Sequence, residues 1–69
     1  MSDSVYKIIE LVGTSNKSWE DAANNAVKKA SKSLRDLRIA EVSTMDMSIK
    51  DGQIESYRTR VKLSFKFED

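Results

Sequence analysis

The sequence of 69 residues contains no cysteine, no histidine and no proline, and only two glycines. Without cysteine and histidine, the chain can form neither a disulfide bond nor a Cys/His zinc site. It also cannot build the Ser-His-Asp and Cys-His arrangements of nucleophilic catalysis. Carboxylates, lysines, tyrosines and hydroxyls remain, and no motif groups them for catalysis. We therefore predict a binding protein and not an enzyme.

The small size of the chain limits how it can be stable. A domain this short buries little apolar surface, and disulfides or a structural metal are excluded by the composition. Oligomerisation is the remaining source of stability for such a chain. We predict a single domain over residues 1–69 that exists only as an assembly.

The charge balance is nearly neutral, with 12 Lys and Arg against 11 Asp and Glu, for a formal net charge of +1. Such a chain has no overall field that attracts nucleic acid or an anionic membrane. The alternating bases Arg58, Arg60, Lys62 and Lys66 could follow a phosphate backbone, but nearby acids are expected to neutralise them. No segment has the pattern of a signal peptide or of a membrane span. We expect a cytoplasmic protein with no nucleic-acid or membrane partner.

The first half of the sequence predicts a strand followed by a helix. Residues 5–12 are β-branched and aromatic with two largely apolar faces, which is typical of a strand buried on both sides. After a turn-rich segment, Ser18 is the predicted N-cap of a helix that begins at about Trp19. Apolar residues then recur at three- and four-residue steps as far as Leu37, and this spacing predicts an amphipathic helix. The apolar stripe consists of Trp19, Ala22, Ala23, Ala26, Val27, Ala30, Leu34 and Leu37.

The second half predicts a β-hairpin. Residues 38–49 alternate as a strand, and Lys50-Asp51-Gly52-Gln53 forms a turn centred on Asp-Gly. The last strand alternates cleanly and places on one face Tyr57, Thr59, Val61, Leu63, Phe65 and Phe67. The predicted fold is α+β, in the order β-α-β-β, with a three-stranded antiparallel sheet wrapped around one helix.

Strand alternation also predicts the two faces of this sheet. We expect the helix to cover the face that carries Ala40, Val42, Tyr57, Val61 and Leu63. The opposite face should then carry, beside the bases Arg58, Arg60 and Lys62, the apolar residues Ile39, Met45, Met47 and Ile49. A face that is apolar and basic over so many residues should meet neighbouring subunits or a ligand.

Several segments resemble the dodecin family: VYKIIELVGTS at 5–15, SWEDA at 18–22, LRDLR at 34–38, AEV at 40–42 and VKLSF at 61–65. The resemblance spans about residues 5–67 without an evident gap. It implies that twelve β-α-β-β subunits assemble into a hollow sphere. It also implies binding of riboflavin, lumichrome or FMN, held as stacked pairs between two tryptophans with a glutamine at the edge of the ring.

Two positions of the flavin pattern differ in this sequence. Ile39 stands where the stacking aromatic precedes Ala40-Glu41-Val42, and Arg58 stands where the glutamine follows Tyr57. Loss of a stacked aromatic pair forfeits about 0.5–1.5 kcal/mol, so weakened affinity is expected. The Arg58 guanidinium can stack on the ring, donate to its carbonyl oxygens or pair with the FMN phosphate. With Ser48, which resembles a position near the ligand, Ile39 and Arg58 form the expected site for storage of a small planar ligand.

The same differences support a second interpretation. The combination of Ile39, Arg58 and the intervening Asp46-Met47 resembles the flavin-free members known as calcium dodecins. Possible oxygen ligands are Asp3, Glu41, Asp46 and Asp51, but their spacing is not that of an EF-hand, so no metal residues are assigned. A calcium site shared across a symmetry axis could supply the oxygens.

Purely structural roles are alternatives at each site position. Ile39, Met45 and Met47 could form a dry contact between subunits. Arg58 could form a salt bridge to Glu41 or Glu55, and Ser48 could be an ordinary strand hydroxyl.

The predicted assembly can be measured directly as the mass of the particle in solution. Light scattering on the purified protein should give a mass near twelve copies of the 7.8 kDa chain, which is about 94 kDa for a closed symmetric shell. A stable monomer would contradict both the size argument and the resemblance.

Overall fold

The computed structural model describes residues 4–66 and contains one helix and three strands. The elements are β1 (Tyr6–Ser15), α1 (Trp19–Ser31), β2 (Leu37–Lys50) and β3 (Gln53–Lys66). The strands form one sheet in the order β1-β3-β2, and both neighbouring pairs are antiparallel. The predicted β-α-β-β order is confirmed. Asp3 and Phe67, which entered the sequence predictions, lie outside the described residues.

The helix begins where the sequence predicts. The Ser18 side-chain oxygen accepts a hydrogen bond from the Asp21 backbone N–H at 3.0 Å, which satisfies one of the unpaired donors of the first turn. The Asp21 carboxylate in turn accepts from the Ser15 hydroxyl at 2.7 Å. These contacts fix the start of α1 against the end of β1.

The helix ends earlier than the predicted Leu37. Its last residue is Ser31, and the Leu34 backbone N–H still donates to the Ala30 carbonyl at 2.9 Å before the chain turns at Asp36, which has a φ of 57°. Leu37 then begins β2 and packs against the core from the sheet. The apolar spacing continued past Ser31 because both elements direct apolar side chains into one core.

The core lies between the alanines of α1 and the centre of β3. Val61 and Leu63 are fully buried against Ala26 and Ala30. Gly13 on β1 lies so close to the helix that an added Cβ would collide with the Ala22 carbonyl oxygen. Small residues on both elements, alanines on α1 and Gly13 on β1, therefore allow the helix to lie close to the sheet.

Within a single chain only one face of β1 is covered, so the predicted burial of both faces requires contacts between chains. Ile9 and Leu11 face α1, but Tyr6, Ile8 and Val12 on the opposite side are exposed. The reason is that the chain supplies only one covering layer for a sheet whose first strand is apolar on both faces.

The hairpin turn forms as predicted. Lys50 pairs with Gln53, and the intervening Asp51 and Gly52 have φ values of 53° and 73°. Two positive φ values in a two-residue loop are typical of a type I′ turn, which Asp-Gly adopts readily.

Irregular pairing between β2 and β3 changes which β2 residues share a face. The register shifts between Leu37 and Ile39, between Val42 and Thr44, and between Ser48 and Ile49. Met45 and Met47 lie opposite Thr59 and Tyr57, on the same side of the sheet as α1. Their predicted place beside the basic residues is wrong, because a bulge of one residue reverses the alternation of a strand.

Among residues 4–66, no helix has the length and apolar character needed to cross a membrane.

Replacing Gly13 with alanine should destabilise the protein, because the added methyl group must displace the backbone of α1 at Ala22. Overpacking of this kind costs about 1–3 kcal/mol. The measurement is the urea midpoint at fixed protein concentration, since dissociation is linked to unfolding.

The matched control is Gly52→Asn, since Asn tolerates the positive φ of Gly52 and an added Cβ there meets no atom within 4 Å. Its unfolding free energy should stay within about 0.5 kcal/mol of the parent. Equal effects of the two substitutions would contradict the role assigned to Gly13.

Candidate functional site

The sheet face opposite α1, here called the outer face, carries all three predicted site residues. Directly opposed residues of neighbouring strands share a face, so the register defines rows across the sheet. From one end the rows are Ile8-Ser64-Ile39, Glu10-Lys62-Glu41, Val12-Arg60-Thr44, Thr14-Arg58-Asp46 and then Ser56-Ser48. Each of the bases Arg58, Arg60 and Lys62 thus has an acid or a hydroxyl residue opposite it on β2, and none lies opposite a methionine.

Arg58 is held by Asp46 in a bidentate ion pair. Arg58 Nε donates to one carboxylate oxygen at 2.7 Å and Nη2 donates to the other at 3.0 Å. Both side chains are about half exposed, so water screens the pair. Within the described chain Arg58 therefore pairs with Asp46 and not with Glu41 or Glu55, and a salt bridge to either of those acids on a neighbouring subunit stays a prediction.

The pair shifts the ionisation of both groups. The hydrogen bond from Arg58 is the largest effect and lowers the pKa of Asp46 below its ordinary value of 3.8. Partial desolvation opposes it, and the positive charges of Arg58 and Arg60 lower the pKa further. The same hydrogen bond raises the pKa of Arg58. Asp46 is therefore ionised and Arg58 protonated at neutral pH.

Trp19 anchors the backbone of Asp46 from the helix. Its indole Nε1 donates to the Asp46 carbonyl oxygen at 3.0 Å, and its ring meets Tyr57 edge-to-face with the centroids 5.1 Å apart. The Thr59 hydroxyl donates to the Trp19 carbonyl at 2.8 Å. Trp19, which was expected in the core, is half-buried and ties the first turn of α1 to the hairpin.

Ser48 lies in the row next to Arg58. Its hydroxyl is 2.6 Å from the hydroxyl of its cross-strand partner Ser56, with either group able to donate. The structure therefore brings Ser48 and Arg58 together on the outer face.

Ile39 lies at the other end of the same face. It pairs with Ser64, which is six residues from Arg58 along β3, a separation of about 20 Å at roughly 3.3 Å per residue. The Ile39 side chain is 65% exposed. The backbone positions of Ile39 and Arg58 in one chain are therefore far apart along the sheet.

A shallow depression adjoins Ile39. Its volume is about 130 Å³, and it is lined by Val27, Leu37, Arg38, Ile39, Ala40 and Leu63. It opens between the end of α1 and the start of β2, away from the Arg58 row.

Exposed apolar side chains occur on both faces of the sheet. Examples are Tyr6, Ile8, Val12, Ile39, Val42, Met45, Met47, Ile49 and Ile54. Both β1 and β2 are edge strands, and exposed edges favour pairing with another chain. Exposed large apolar side chains in this number favour burial between copies.

Within residues 4–66, no group of three or more acidic side chains is arranged to hold a metal ion. Asp46, one of the proposed oxygen donors, already uses both carboxylate oxygens on Arg58. Another, Asp3, lies outside the described residues.

Sequence reasoning missed Asp46 as the partner of Arg58. The available signal was the Asp-Gly turn, from which the register can be counted back along the hairpin. A regular count from the Lys50–Gln53 pair places Met45 opposite Arg58, whereas the shift between Ser48 and Ile49 places Asp46 there.

Comparison with known proteins identifies one family. The family model described as Dodecin matches residues 5–68. The calcium dodecin of Mycobacterium tuberculosis is 44% identical over 63 residues, covering 91% of this chain and 89% of the relative. The dodecin of Thermus thermophilus is 35% identical over 65 residues, covering 94% of each chain.

Solved structures agree with the sequence relatives. Dodecin from Streptomyces coelicolor superposes with a TM-score of 0.93 at 39% identity, covering 100% of this chain and 99% of that one. Calcium dodecin from M. tuberculosis, a calcium-chelating protein with a calcium-binding site, gives a TM-score of 0.84 at 45% identity, with coverage of 94% and 93%.

The ion pair predicts an abnormal titration of Asp46. In a carboxyl-carbon NMR titration, its midpoint should lie below 3.8 in the parent and rise toward that value in Arg58→Gln. Because the folded-state pKa is the lower one, the pair stabilises the folded chain above about pH 3.8. This stabilisation is lost as the pH falls through the folded-state pKa.

Lys50→Gln is the control, because it removes one positive charge from the same hairpin at the turn, away from Asp46. An equal rise of the Asp46 midpoint in both variants would show that general charge and not the bidentate contact causes the shift.

Proposed function

We propose a function from the family to which this chain belongs, the dodecins. The protein binds and stores a small planar ligand without converting it. The ligand is a flavin, riboflavin or FMN, held between subunits of a homododecamer. The assignment of residues 1–69 to one domain, the cytoplasmic location and the absence of a nucleic-acid partner remain predictions.

Assembly is supported by the exposed apolar surface of the single chain. Ile8 and Ile39 flank Ser64 on the outer face and are 62% and 65% exposed. Burying such residues between subunits removes their apolar area from water at about 25 cal/mol per Å². Twelve copies, the number that the resemblance to dodecins implies, would supply this burial for every chain at once.

The observation that carries the flavin proposal is the fixed, half-exposed guanidinium of Arg58. A guanidinium has five N–H donors, and Asp46 accepts from one on Nε and one on Nη2. The donors on Nη1 have no partner among the described residues, so they can reach the carbonyl oxygens of a planar ring. Ser48, in the next row, adds a hydroxyl near the same edge.

Ile39 supplies the apolar part of the proposed site. Since Ile39 and Arg58 of one chain are about 20 Å apart along the sheet, the site combines Ile39 of one subunit with Arg58 of another. An isoleucine gives contact area without stacking, so the affinity is lower than between aromatic rings. Burial between subunits would keep the ring away from light and oxygen.

Calcium binding is the second candidate function. It is favoured by the 44% identity to the calcium dodecin of M. tuberculosis. Calcium takes six to eight oxygen ligands, and residues 4–66 of one chain hold no cluster of acids suited to a metal. A calcium site would therefore combine acids such as Glu41 and Asp51 from several chains.

The test is a riboflavin fluorescence titration of the parent and of Ile39→Trp, each in EDTA and in calcium. The parent should quench riboflavin and saturate near one flavin per subunit. The introduced ring should tighten binding by about 0.5–1.5 kcal/mol per aromatic pair, which is roughly a two- to tenfold lower Kd.

Ile49→Trp is a matched control, because Ile49 is 67% exposed on the same strand but lies at the turn end of the hairpin. It should leave riboflavin affinity unchanged. No quenching at micromolar protein would overturn flavin binding, and calcium binding without quenching would favour the second candidate. Equal affinity of the parent and Ile39→Trp would remove residue 39 from the site.

A further inference from the structure

We propose that Asp46 determines which flavin the site accepts, by holding Arg58 so that a flavin without a phosphate group binds in preference to FMN. The inference rests on the proposed flavin site and deepens it, since it assigns a selectivity to a residue that lies outside the predicted set of Ile39, Ser48 and Arg58. Asp46 is a positioning residue here, because it acts through Arg58.

Asp46 occupies one edge of the Arg58 guanidinium. Both carboxylate oxygens accept hydrogen bonds, at 2.7 Å from Nε and 3.0 Å from Nη2. This is one of the two edges of the guanidinium that form a two-point contact with a carboxylate or a phosphate. A phosphate must either displace Asp46 from this edge or bind the remaining Nη1–Nη2 edge, which shares Nη2 with the ionised carboxylate.

A phosphate group would bring negative charge close to the Asp46 carboxylate. A phosphate monoester carries about −1.5 to −2 at neutral pH, and Asp46 adds its own negative charge within one hydrogen-bond length of Arg58. A ring carbonyl oxygen carries no net charge and can accept from Nη1 while the ion pair stays intact. The pair therefore favours the neutral acceptor.

The neighbouring rows of the outer face carry as many acids as bases. Arg60 approaches Glu10 with 3.8 Å between the charged atoms, and Lys62 lies between Glu10 and Glu41 in the next row. Over these rows three bases, at 58, 60 and 62, face three acids, Glu10, Glu41 and Asp46. No excess positive charge remains to attract a phosphate.

The sheet and Trp19 together hold Asp46 in place. Its backbone is paired opposite Arg58 in the sheet, and its carbonyl oxygen accepts from Trp19 Nε1 at 3.0 Å. The hydrogen bond from Arg58 also holds the pKa of Asp46 below its ordinary value, so the carboxylate is charged wherever a flavin is stored near neutral pH. The negative charge is thus a permanent part of the site.

The test compares the Kd values of riboflavin and FMN, by fluorescence quenching at low ionic strength, for the parent, Asp46→Asn and Arg58→Gln. The parent should bind riboflavin at least as tightly as FMN. Asp46→Asn keeps the shape of the side chain but removes its charge, and it should raise the FMN affinity relative to riboflavin by about tenfold, or roughly 1.4 kcal/mol. Arg58→Gln should lower that ratio, because it leaves Asp46 unpaired.

Asp36→Asn is the matched control. It makes the same change of charge in the turn before β2, where Asn is compatible with the φ of 57°. It should leave the ratio unchanged. Added salt should shrink the effect of Asp46→Asn, since screening weakens interactions between exposed charges.

The outcomes separate this inference from the proposed function. If the parent binds flavin but prefers FMN, or if Asp46→Asn leaves the ratio within twofold, the selectivity role of Asp46 is overturned while flavin storage stands. If the parent binds neither flavin, the proposed function fails and the inference fails with it. Light scattering checks that each variant assembles, and if Asp46→Asn does not, Asp46→Ser, which also removes the carboxylate, takes its place in the comparison.

Discussion

The length of the helix relative to the strands is the constraint on which the rest of the structure depends. A helix of 13 residues is about 20 Å long at 1.5 Å per residue, whereas a strand of 14 residues extends about 46 Å at 3.3 Å per residue. One helix can therefore cover less than half of one face. The close contact of α1 with Gly13 and Val61 builds a small core at one part of the sheet. The remaining apolar surface, on both faces, requires other chains.

The irregular pairing of β2 with β3 determines which side chains lie on each face of the hairpin. The bulges place Met45 and Met47 on the helix side, near the start of α1, and leave Asp46 opposite Arg58 on the outer face. Around Arg58 the hairpin therefore presents apolar side chains on the helix side and paired charges on the outer face. Trp19 connects the two, because its indole binds the backbone of Asp46 while its ring packs on Tyr57.

A divided site follows from the same geometry. Ser48 and Arg58 lie in neighbouring rows, while Ile39 is at the far end of the outer face. In the proposed site, a ligand that touches all three lies between subunits, so its binding would depend on assembly. A ligand of this kind stabilises the assembly, since binding to the assembled state shifts the equilibrium away from free chains.

The sequence by itself determined the features that depend on neighbouring residues. Ser18 caps the helix and Asp51-Gly52 forms the turn through contacts and φ values that a few residues specify, and the order β-α-β-β follows from them. The segments that resemble dodecins were likewise sufficient to predict the family. The tertiary structure alone decided where α1 ends, that the second face of β1 is uncovered, and that Asp46 is the partner of Arg58. These features depend on how distant segments pair and pack, and a single bulge, which no local pattern marked, reverses every side chain beyond it.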